Sequence, residues 1–214
     1  MIEFHNVTKA FVTRNKVTVI LNGASFSVPR GVNLGILGRN GSGKSTLLRL
    51  FAGVEKPDEG EIIRQARISW PIGFSGGFSK TLSGEENVRL IARIYGRDPT
   101  EISAYVADFA ELGEYYQLPI TTYSSGMRAR LAFAASLAID FDIYLVDEVI
   151  ATGDRSFRDK CEAAFKMRSH YSTVIIVSHQ TKTIDDMCDA VAVLQNGNLH
   201  FFDSVDEANV LYAA

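Results

Sequence analysis

The 214-residue sequence predicts an α/β fold with an N-terminal antiparallel β subdomain and an inserted helical subdomain. Three observations carry this prediction. Residues 32–37 read as a buried strand and lead through a glycine-rich stretch into a helical pattern at residues 44–52, which is stopped by Gly53; this order is typical of a parallel α/β core. Residues 2–30 alternate apolar and polar positions, which is typical of antiparallel strands. Helical patterns between residues 83 and 139 then interrupt the strands of the core.

Composition and charge limit the classes of function. The formal net charge is -3, and lysines and arginines form no block, so we expect no dedicated nucleic-acid surface. No apolar run approaches the roughly 20 residues of a membrane-spanning helix, and residues 1–5 lack a signal-peptide pattern. We therefore expect the chain to stay in the cytosol, where Cys161 and Cys188 would be reduced thiols.

The glycine-rich stretch at residues 38–46 fits the phosphate-binding pattern G-x-x-x-x-G-K-[ST]. Its glycines allow backbone N–H groups to turn toward one point, and the N-terminus of the following helix adds partial positive charge. We expect Lys44 to reach the β- and γ-phosphates of a nucleotide, Ser45 to bind Mg²⁺ and Thr46 to support an α-phosphate contact. The residues of this nucleotide-binding stretch are Gly38, Asn40, Gly41, Ser42, Gly43, Lys44, Ser45 and Thr46.

The N-terminal strands leave the role of one aromatic residue open. Asn22-Gly23 separates two alternating pieces, residues 17–20 and 24–28, and predicts a turn between them. Phe11 lies in a turn-like stretch before the second strand. It is expected either to stack on a nucleotide base or to be an ordinary core or rim aromatic.

Residues 71–80 predict a flexible loop, because glycines alternate with Phe74 and Phe78. This loop either contacts a partner or tucks both phenylalanines into the core. A helix follows, with a capping box formed by Ser83 and Glu86. With a second helix from about residue 100, it forms a helical lobe at about residues 75–139 within a single domain. The core of that domain would comprise about residues 1–74 and 140–214.

Two further stretches carry chemistry. Ser124, Ser125 and Gly126 precede a helical pattern at residues 128–139 and predict a second anion site, although the same residues alone form an ordinary N-cap. Residues 141–148 form an apolar strand that ends in two acids. At the carboxyl edge of a parallel strand, Asp147 would hold Mg²⁺ through water, and Glu148 would polarise an attacking water.

The remaining chain predicts alternating strands and helices. A strand at residues 173–178 ends on His179, whose imidazole would contact a γ-phosphate or the attacking water, although a lone histidine is more often structural. A hairpin turn is expected at Asn196-Gly197. The last helix is expected to be capped by Ser204 and Glu207.

In this order the motifs resemble those of ABC-type ATPases over essentially the whole chain. The resemblance implies a P-loop ABC-type ATPase core that binds ATP and Mg²⁺, with Walker A at residues 38–46, the signature at 124–127 and Walker B at 143–148. It further implies that Asp154 is the D-loop aspartate, His179 the switch histidine and Phe11 the base-stacking aromatic.

Residues 68–71, 76–78, 123–131 and 147–154 are similar to those of the short-form ATP-binding subunits of capsular polysaccharide exporters, which are related to O-antigen and teichoic acid exporters. This resemblance implies a homodimeric ATPase that is peripheral to the cytoplasmic face of the inner membrane. It would power export of a lipid-linked, capsular-type polysaccharide together with a permease dimer and further export components.

Two departures from the wider family stand out. The signature reads Ser-Ser-Gly-Met where Ser-Gly-Gly-Gln is commoner. No glutamine lies between Gln65 and Gln117, so the Q-loop ligand is missing or is replaced by Ser75 or Ser79.

The resemblance implies a head-to-tail pair of chains in which the partner's Ser125-Gly126 helix start covers each bound ATP. Glu148 would activate water, while Lys44 and His179 would stabilise the charge that develops on the γ-phosphate. Two alternatives stay open: a P-loop small-molecule kinase, and a nucleotide-gated, non-catalytic adaptor of a membrane complex. The single P-loop and the lack of long heptads argue against tandem translation-factor and chromosome-maintenance ATPases.

Overall fold

A computed structural model describes residues 1–13, 16–72, 77–147 and 155–212. The chain divides into two compact units. Unit 1 comprises Met1–Pro71, Phe141–Glu148 and Tyr171–Ala214, and unit 2 comprises Ile72–Asp140 and Val149–His170. Ser75, Glu148 and Asp154, to which the sequence assigns roles, lie outside the described residues.

Unit 1 begins with a three-stranded antiparallel sheet in the order β2-β1-β4. Its strands are β1 (Ile2–Thr13), β2 (Lys16–Val28) and β4 (Glu59–Arg64). The turn predicted at Asn22-Gly23 is wrong, because β2 continues through both residues. Gly23 has a φ of 61° and its N–H donates to the Thr8 hydroxyl at 3.1 Å, so the strand absorbs the irregularity.

A second, six-stranded sheet has the order β5-β6-β7-β3-β8-β9. Strands β3, β6, β7 and β8 are parallel neighbours along this order, and β9 pairs antiparallel with β8. The strands of this sheet are β3 (Leu34–Leu37), β5 (Ile68–Ile72), β6 (Ile143–Asp147), β7 (Thr173–Ser178), β8 (Ala190–Gln195) and β9 (Asn198–Phe202).

The helices of unit 1 are α1 (Lys44–Ala52), α6 (Thr181–Met187) and α7 (Val205–Tyr212). Helix α1 has the predicted bounds and ends at Gly53, which takes a φ of 75°. Its apolar face is fully buried, and the ring of Phe51 packs edge-on against Phe4 at 4.9 Å between centroids. This packing holds the helix on the sheet and so fixes the glycine-rich loop at its N-terminus.

Unit 2 is helical and contains α2 (Gly84–Ile94), α3 (Pro99–Ala110), α4 (Ser125–Ala138) and α5 (Arg155–Ser169). The predicted capping box is confirmed: the Glu86 N–H donates to the Ser83 hydroxyl at 3.1 Å, and Glu86 Oε2 accepts the Ser83 N–H at 2.8 Å. Helix α3 begins at Pro99 because Asp98 caps it.

Within the described ranges, no helix is both long enough and apolar enough to cross a bilayer. Cys161 and Cys188 are both free thiols, as the sequence predicts. Burial raises the pKa of each to about 12, so both stay protonated near neutral pH.

Candidate active site

Three predicted site residues of unit 1 emerge at one edge of the six-stranded sheet. Strand β3 leads into Gly38, and in the parallel ladder Leu37 lies opposite Ser178, the residue before His179. Asp147 ends β6 and lies opposite Val177 of β7. The carboxyl ends of parallel strands are the usual ligand side of an α/β sheet. The ladder therefore brings Gly38, Asp147 and His179 to the same edge.

The loop at this edge is shaped for an anion. Gly41 and Gly43 have φ angles of 82° and 103°, in the region that glycine favours. Gly43 is the N-cap of α1 and offers no side-chain cap, and the first turn of α1 carries no acidic residue. The positive end of the helix is thus not neutralised by a side chain of its own first turn, which suits a phosphate group.

Glycine is required at positions 38 and 43 because neighbouring atoms lie too close to leave room for a Cβ atom. A Cβ at Gly38 would lie 2.6 Å from the Ser42 hydroxyl oxygen and 3.1 Å from the Leu194 carbonyl oxygen. A Cβ at Gly43 would lie 2.6 Å from Cγ2 of Ile20. These contacts explain why the pattern has glycine at both positions.

Lys44 is buried beneath the loop. Its ammonium donates to the carbonyl oxygens of Gly38 at 2.6 Å and Arg39 at 3.2 Å. Burial lowers the pKa of Lys44, and the negative charge of Asp147 opposes that shift. The hydroxyl of Ser42 is buried and has no hydrogen-bond partner among the described residues. A loop with a buried ammonium and an unpaired buried hydroxyl fits a phosphate ligand.

Two clefts adjoin this loop and share Asn40 and Gly41. One has a volume of about 440 Å³, and in it Ser45 and Asp147 line the same space. The other has a volume of about 460 Å³. It is lined by Thr18, Val19, Gly38, Arg39, Asn40, Gly41, Ser42, Val193, Leu194, Gln195, Asn196, Gly197 and Tyr212.

Sequence reasoning did not predict that residues 195–197 would line the larger cleft. The hairpin itself is as predicted, but its position next to the loop follows from the pairing of β8 with β3. The parallel order of the strands is the signal that could have placed it.

The smaller cleft suits a magnesium ion that is shared with a nucleotide better than a metal ion that is bound by protein ligands alone. Among the described residues, no group of three His, Cys, Asp or Glu side chains could hold a metal. Magnesium on a nucleotide commonly takes one or two protein oxygens together with phosphate oxygens and water. The Ser45 hydroxyl and the Asp147 carboxylate, which line one cleft, fit that donor set.

Phe11 lies within β1 and not in a turn, which corrects the sequence prediction. It pairs with Thr18, a wall residue of the larger cleft, and the residue is 39% exposed. Directly opposed residues on antiparallel strands share a face, so the Phe11 side chain neighbours Thr18, which lines that cleft. His179 is also exposed, and its carbonyl oxygen accepts the Tyr212 hydroxyl at 3.3 Å.

The predicted signature residues belong to unit 2. Ser124 is the N-cap of α4, and its hydroxyl accepts the Met127 N–H at 3.2 Å. Ser125 begins the helix and is exposed, whereas Gly126 is half-buried. Helix α4 starts three residues before the predicted pattern, because the serine cap lies directly ahead of it. The predicted helix N-terminus is therefore present at this stretch.

Ser79, one candidate replacement for the Q-loop glutamine, is held by a residue that sequence reasoning missed. Asn87 is buried, its amide donates to the carbonyl oxygens of Ser79 at 3.0 Å and Ser83 at 2.8 Å, and its Oδ1 accepts the Ser79 N–H at 2.8 Å. The Ser79 hydroxyl pairs with Thr81 at 3.1 Å. Ser75, the other candidate replacement for the Q-loop glutamine, lies outside the described residues.

Comparison with known proteins gives close and nearly full-length relatives. Residues 21–151 match the family described as ABC transporter. The chain is 46% identical to the capsule polysaccharide export ATP-binding protein CtrD of Neisseria meningitidis over 99% of this chain and 98% of that protein. It is 45% identical to the ATP-binding protein BexA of Haemophilus influenzae, with the same coverage of 99% and 98%. The polysialic acid transport ATP-binding protein KpsT of Escherichia coli is 44% identical over 92% of this chain and 88% of its own length.

Solved structures support the fold. The structure of an ATP-binding subunit of an ABC transporter superposes with a TM-score of 0.79 at 20% identity, over 100% of this chain and 95% of that chain. A dimeric post-hydrolysis structure of the ATP-binding cassette MJ0796, bound to ADP and Pi, gives a TM-score of 0.78 at 23% identity, over 93% and 96% of the two chains. The predicted fold class is confirmed.

Proposed function

This chain belongs to the ABC transporter family, and we propose that it is the ATP-hydrolysing subunit of a transporter that exports a capsular-type polysaccharide. The substrate class rests on relatives at 44–46% identity whose names specify capsule polysaccharide export or polysialic acid transport. The same relatives give no support to the small-molecule kinase alternative.

One observation carries the ATPase part of the proposal. The ladder of β3, β6 and β7 aligns Gly38, Asp147 and His179 at one sheet edge, directly beside the uncapped N-terminus of α1. Phosphoryl transfer depends mainly on positioning and on stabilising charge, and these are the groups that such a site needs.

Each residue of the site has a proposed role. The backbone N–H groups of the loop and the α1 dipole bind the phosphates, and the Ser42 hydroxyl supplies a donor from beneath. When a nucleotide binds, the Lys44 ammonium would donate to phosphate oxygens in place of the carbonyl oxygens of Gly38 and Arg39. Glu148, one residue past the end of β6, would orient the attacking water, and His179 would stabilise the developing charge.

Mg²⁺ would be held by Ser45 and Asp147 and would neutralise charge on the phosphate oxygens. Phe11, beside the larger cleft, would stack on the nucleotide base.

The active form would be a head-to-tail homodimer bound to a permease dimer on the cytoplasmic face of the inner membrane. In it, the exposed Ser125 and the half-buried Gly126 at the start of α4 of one chain would cover the nucleotide of the other. Nucleotide-dependent pairing and separation would drive the permease, with the helical lobe and residues 71–80 as the contact. Further export components would receive the polysaccharide.

A paired substitution tests the function. Lys44→Ala removes the buried ammonium of the loop, whereas Lys166→Ala removes an exposed charge on α5 as the control. ATP turnover by the purified chain should fall about a hundredfold or more in Lys44→Ala and stay unchanged in Lys166→Ala. In a capsule-forming host, only Lys44→Ala should leave polysaccharide inside the cell. Wild-type turnover in Lys44→Ala, or transfer of phosphate to a small acceptor by the wild type, would contradict the proposal.

A further inference from the structure

The part of β1 that carries Phe11 extends beyond the third strand of its sheet. The ladder between β1 and β4 runs from Ile2, opposite Arg64, to Thr8, opposite Glu59. Beyond Thr8, β1 continues in its ladder with β2, where Phe11 pairs with Thr18. We call this extension, residues 9–13 with residues 16–19, the ribbon. A two-stranded ribbon is marginally stable by itself, so its position depends on what holds its base.

An ion cluster lies at the base of the ribbon. The ammonium of Lys9 is 2.7 Å from Glu55 Oε1 and 3.0 Å from Asp58 Oδ1, and it donates to the Lys56 carbonyl oxygen at 3.0 Å. Its side chain is only 9% exposed. Three acceptors match the three donors of an ammonium group, so the buried charge is fully paired.

Asp58, the residue before β4, also continues the ladder of β1 beyond the pair of Thr8 and Glu59. Its Oδ2 accepts the Ala10 N–H at 2.7 Å, and its own N–H donates to the Thr8 carbonyl oxygen at 2.9 Å. A side chain thus takes the place of the next ladder partner of β1. The hydrogen bond that Lys9 donates to Glu55 raises the pKa of Lys9 although burial opposes it, and the hydrogen bond that the Ala10 N–H donates to Asp58 lowers the pKa of Asp58. Both groups therefore stay charged across the neutral range.

Helix α1 lies between the phosphate loop and the ion cluster along the chain. Residues 55–58 follow α1, whose N-terminus is the phosphate loop and whose C-terminus is closed by Gly53. The nine residues of α1 span about 13 Å. The same helix therefore presents the phosphate loop at one end and the anchor of the ribbon at the other.

Lys9 also contacts Phe11 directly. Its ammonium lies 5.2 Å from the centroid of the Phe11 ring, within the range of a cation–π interaction. Phe11 is 39% exposed, so part of the residue stays open to solvent while the Lys9 charge faces its ring. Lys9 thus contacts the Phe11 ring, and its partner Asp58 binds the backbone N–H of Ala10, the residue before Phe11.

We propose that Lys9, held by Glu55 and Asp58, is a positioning residue that places Phe11 against the nucleotide base and thereby sets the affinity for ATP. Lys9 itself does not touch the nucleotide. The inference rests on the proposed function, because it requires that the ligand carries a base and that Phe11 contacts it.

The test separates the base from the phosphates. Lys9→Met keeps the apolar stem but removes the charge, and Lys16→Met removes an exposed charge from the same ribbon as the control. We would measure kcat and KM for ATP, and inhibition by inorganic tripolyphosphate, which lacks a base. Lys9→Met should raise KM about fivefold to tenfold, as expected for loss of a stacking contact, with kcat within about twofold. Inhibition by tripolyphosphate should not change, and Lys16→Met should resemble the wild type.

Two companion variants keep the result decisive. Glu55→Gln removes one negative charge but keeps an amide oxygen that can accept from Lys9, so it should fold and raise KM for ATP to a smaller extent. Phe11→Ala should raise KM at least as much as Lys9→Met and should not add to it in the double variant, because both act through one contact.

Three results would overturn the inference in distinguishable ways. Equal weakening of ATP and tripolyphosphate by Lys9→Met would make Lys9 a general structural residue. An unchanged KM in Lys9→Met, with a raised KM in Phe11→Ala, would refute the positioning role of Lys9 and leave the proposed function intact. A wild type that hydrolyses no ATP would remove the proposed function and the inference with it.

Discussion

Replacing Gly43 by alanine tests the geometry of the phosphate loop most sharply. Gly43 has a φ of 103°, and a Cβ there would lie 2.6 Å from Cγ2 and 2.8 Å from Cδ1 of Ile20. Gly41 provides the matched control, because its φ is 82° but a Cβ there would meet no atom within 4 Å. Both substitutions strain the backbone, and only Gly43→Ala adds a steric clash.

The two contributions have separate magnitudes. A left-handed conformation costs an L-residue about 1–2 kcal/mol, and overpacking a core position costs about 1–3 kcal/mol. Gly41→Ala should therefore lower the free energy of unfolding by about 1–2 kcal/mol and Gly43→Ala by about 2–5 kcal/mol. Any relief of the clash by movement of the loop would displace Lys44, and a displacement near 1 Å can cost about a hundredfold in rate.

Urea unfolding, followed by the fluorescence of the single tryptophan, Trp70, would measure the free energies. Isothermal titration calorimetry would measure ATP affinity. Ile20→Ala removes both atoms that the new methyl group would strike, so the double variant should recover about 1–3 kcal/mol relative to additive behaviour. Equal destabilisation by Gly41→Ala and Gly43→Ala, or no coupling to Ile20, would refute the reasoning.

Two other predictions concern unit 2. Asn87→Ala should lower the free energy of unfolding by about 2–3 kcal/mol, since the Ser79 N–H and nearby carbonyl oxygens lose a buried partner; a change below about 0.5 kcal/mol in urea unfolding would contradict this. The N–H groups of Glu101 and Thr100 hold the pKa of Asp98 in the folded protein below its ordinary 3.8. The Asp98 carboxylate therefore stabilises the folded protein above pH 3.8, and this contribution is lost as the pH falls through the lower pKa of the folded state. The difference in melting temperature between the wild type and Asp98→Ala should shrink over that acid range, and a constant difference would count against it.

The parts of the fold that local chemistry dictates could be predicted from the sequence. The capping box of α2, the bounds of α1 and the strand at residues 173–178 depend on residues close together in the chain, and the structure has all three. The position of the glycine-rich loop between β3 and α1 was predictable for the same reason, because its glycines and Lys44 are contiguous.

Features that depend on distant partners were not predictable. Asn22-Gly23 is a strong turn signal, yet the Asn22 N–H donates to the Gly197 carbonyl oxygen and the Gly23 N–H to Thr8, so tertiary contacts keep the strand extended. Arg64 closes the C-terminus of α1 by donating to the Phe51 carbonyl oxygen at 2.9 Å, a contact that required the sheet pairing to be known. The ion pairs of Lys9 needed the same information.

The site predictions divide along the same line. Sequence order predicts a magnesium-binding role for Asp147, but only the ladder of β6, β7 and β3 establishes that it shares an edge with Gly38. The placement of Phe11 within a strand, beside the Thr18 wall of a cleft, likewise follows from register and not from the aromatic residue itself.

The most direct test of the central claim is the mass of the nucleotide-loaded assembly. Glu148→Gln would be combined with its membrane partner and Mg-ATP, and its stoichiometry measured by light scattering during gel filtration, with nucleotide quantified in the peak. We expect two copies of the chain, two unhydrolysed ATP molecules, and loss of pairing when Ser125 is replaced by arginine. A chain that stays single under these conditions, with ATP bound, would contradict that claim.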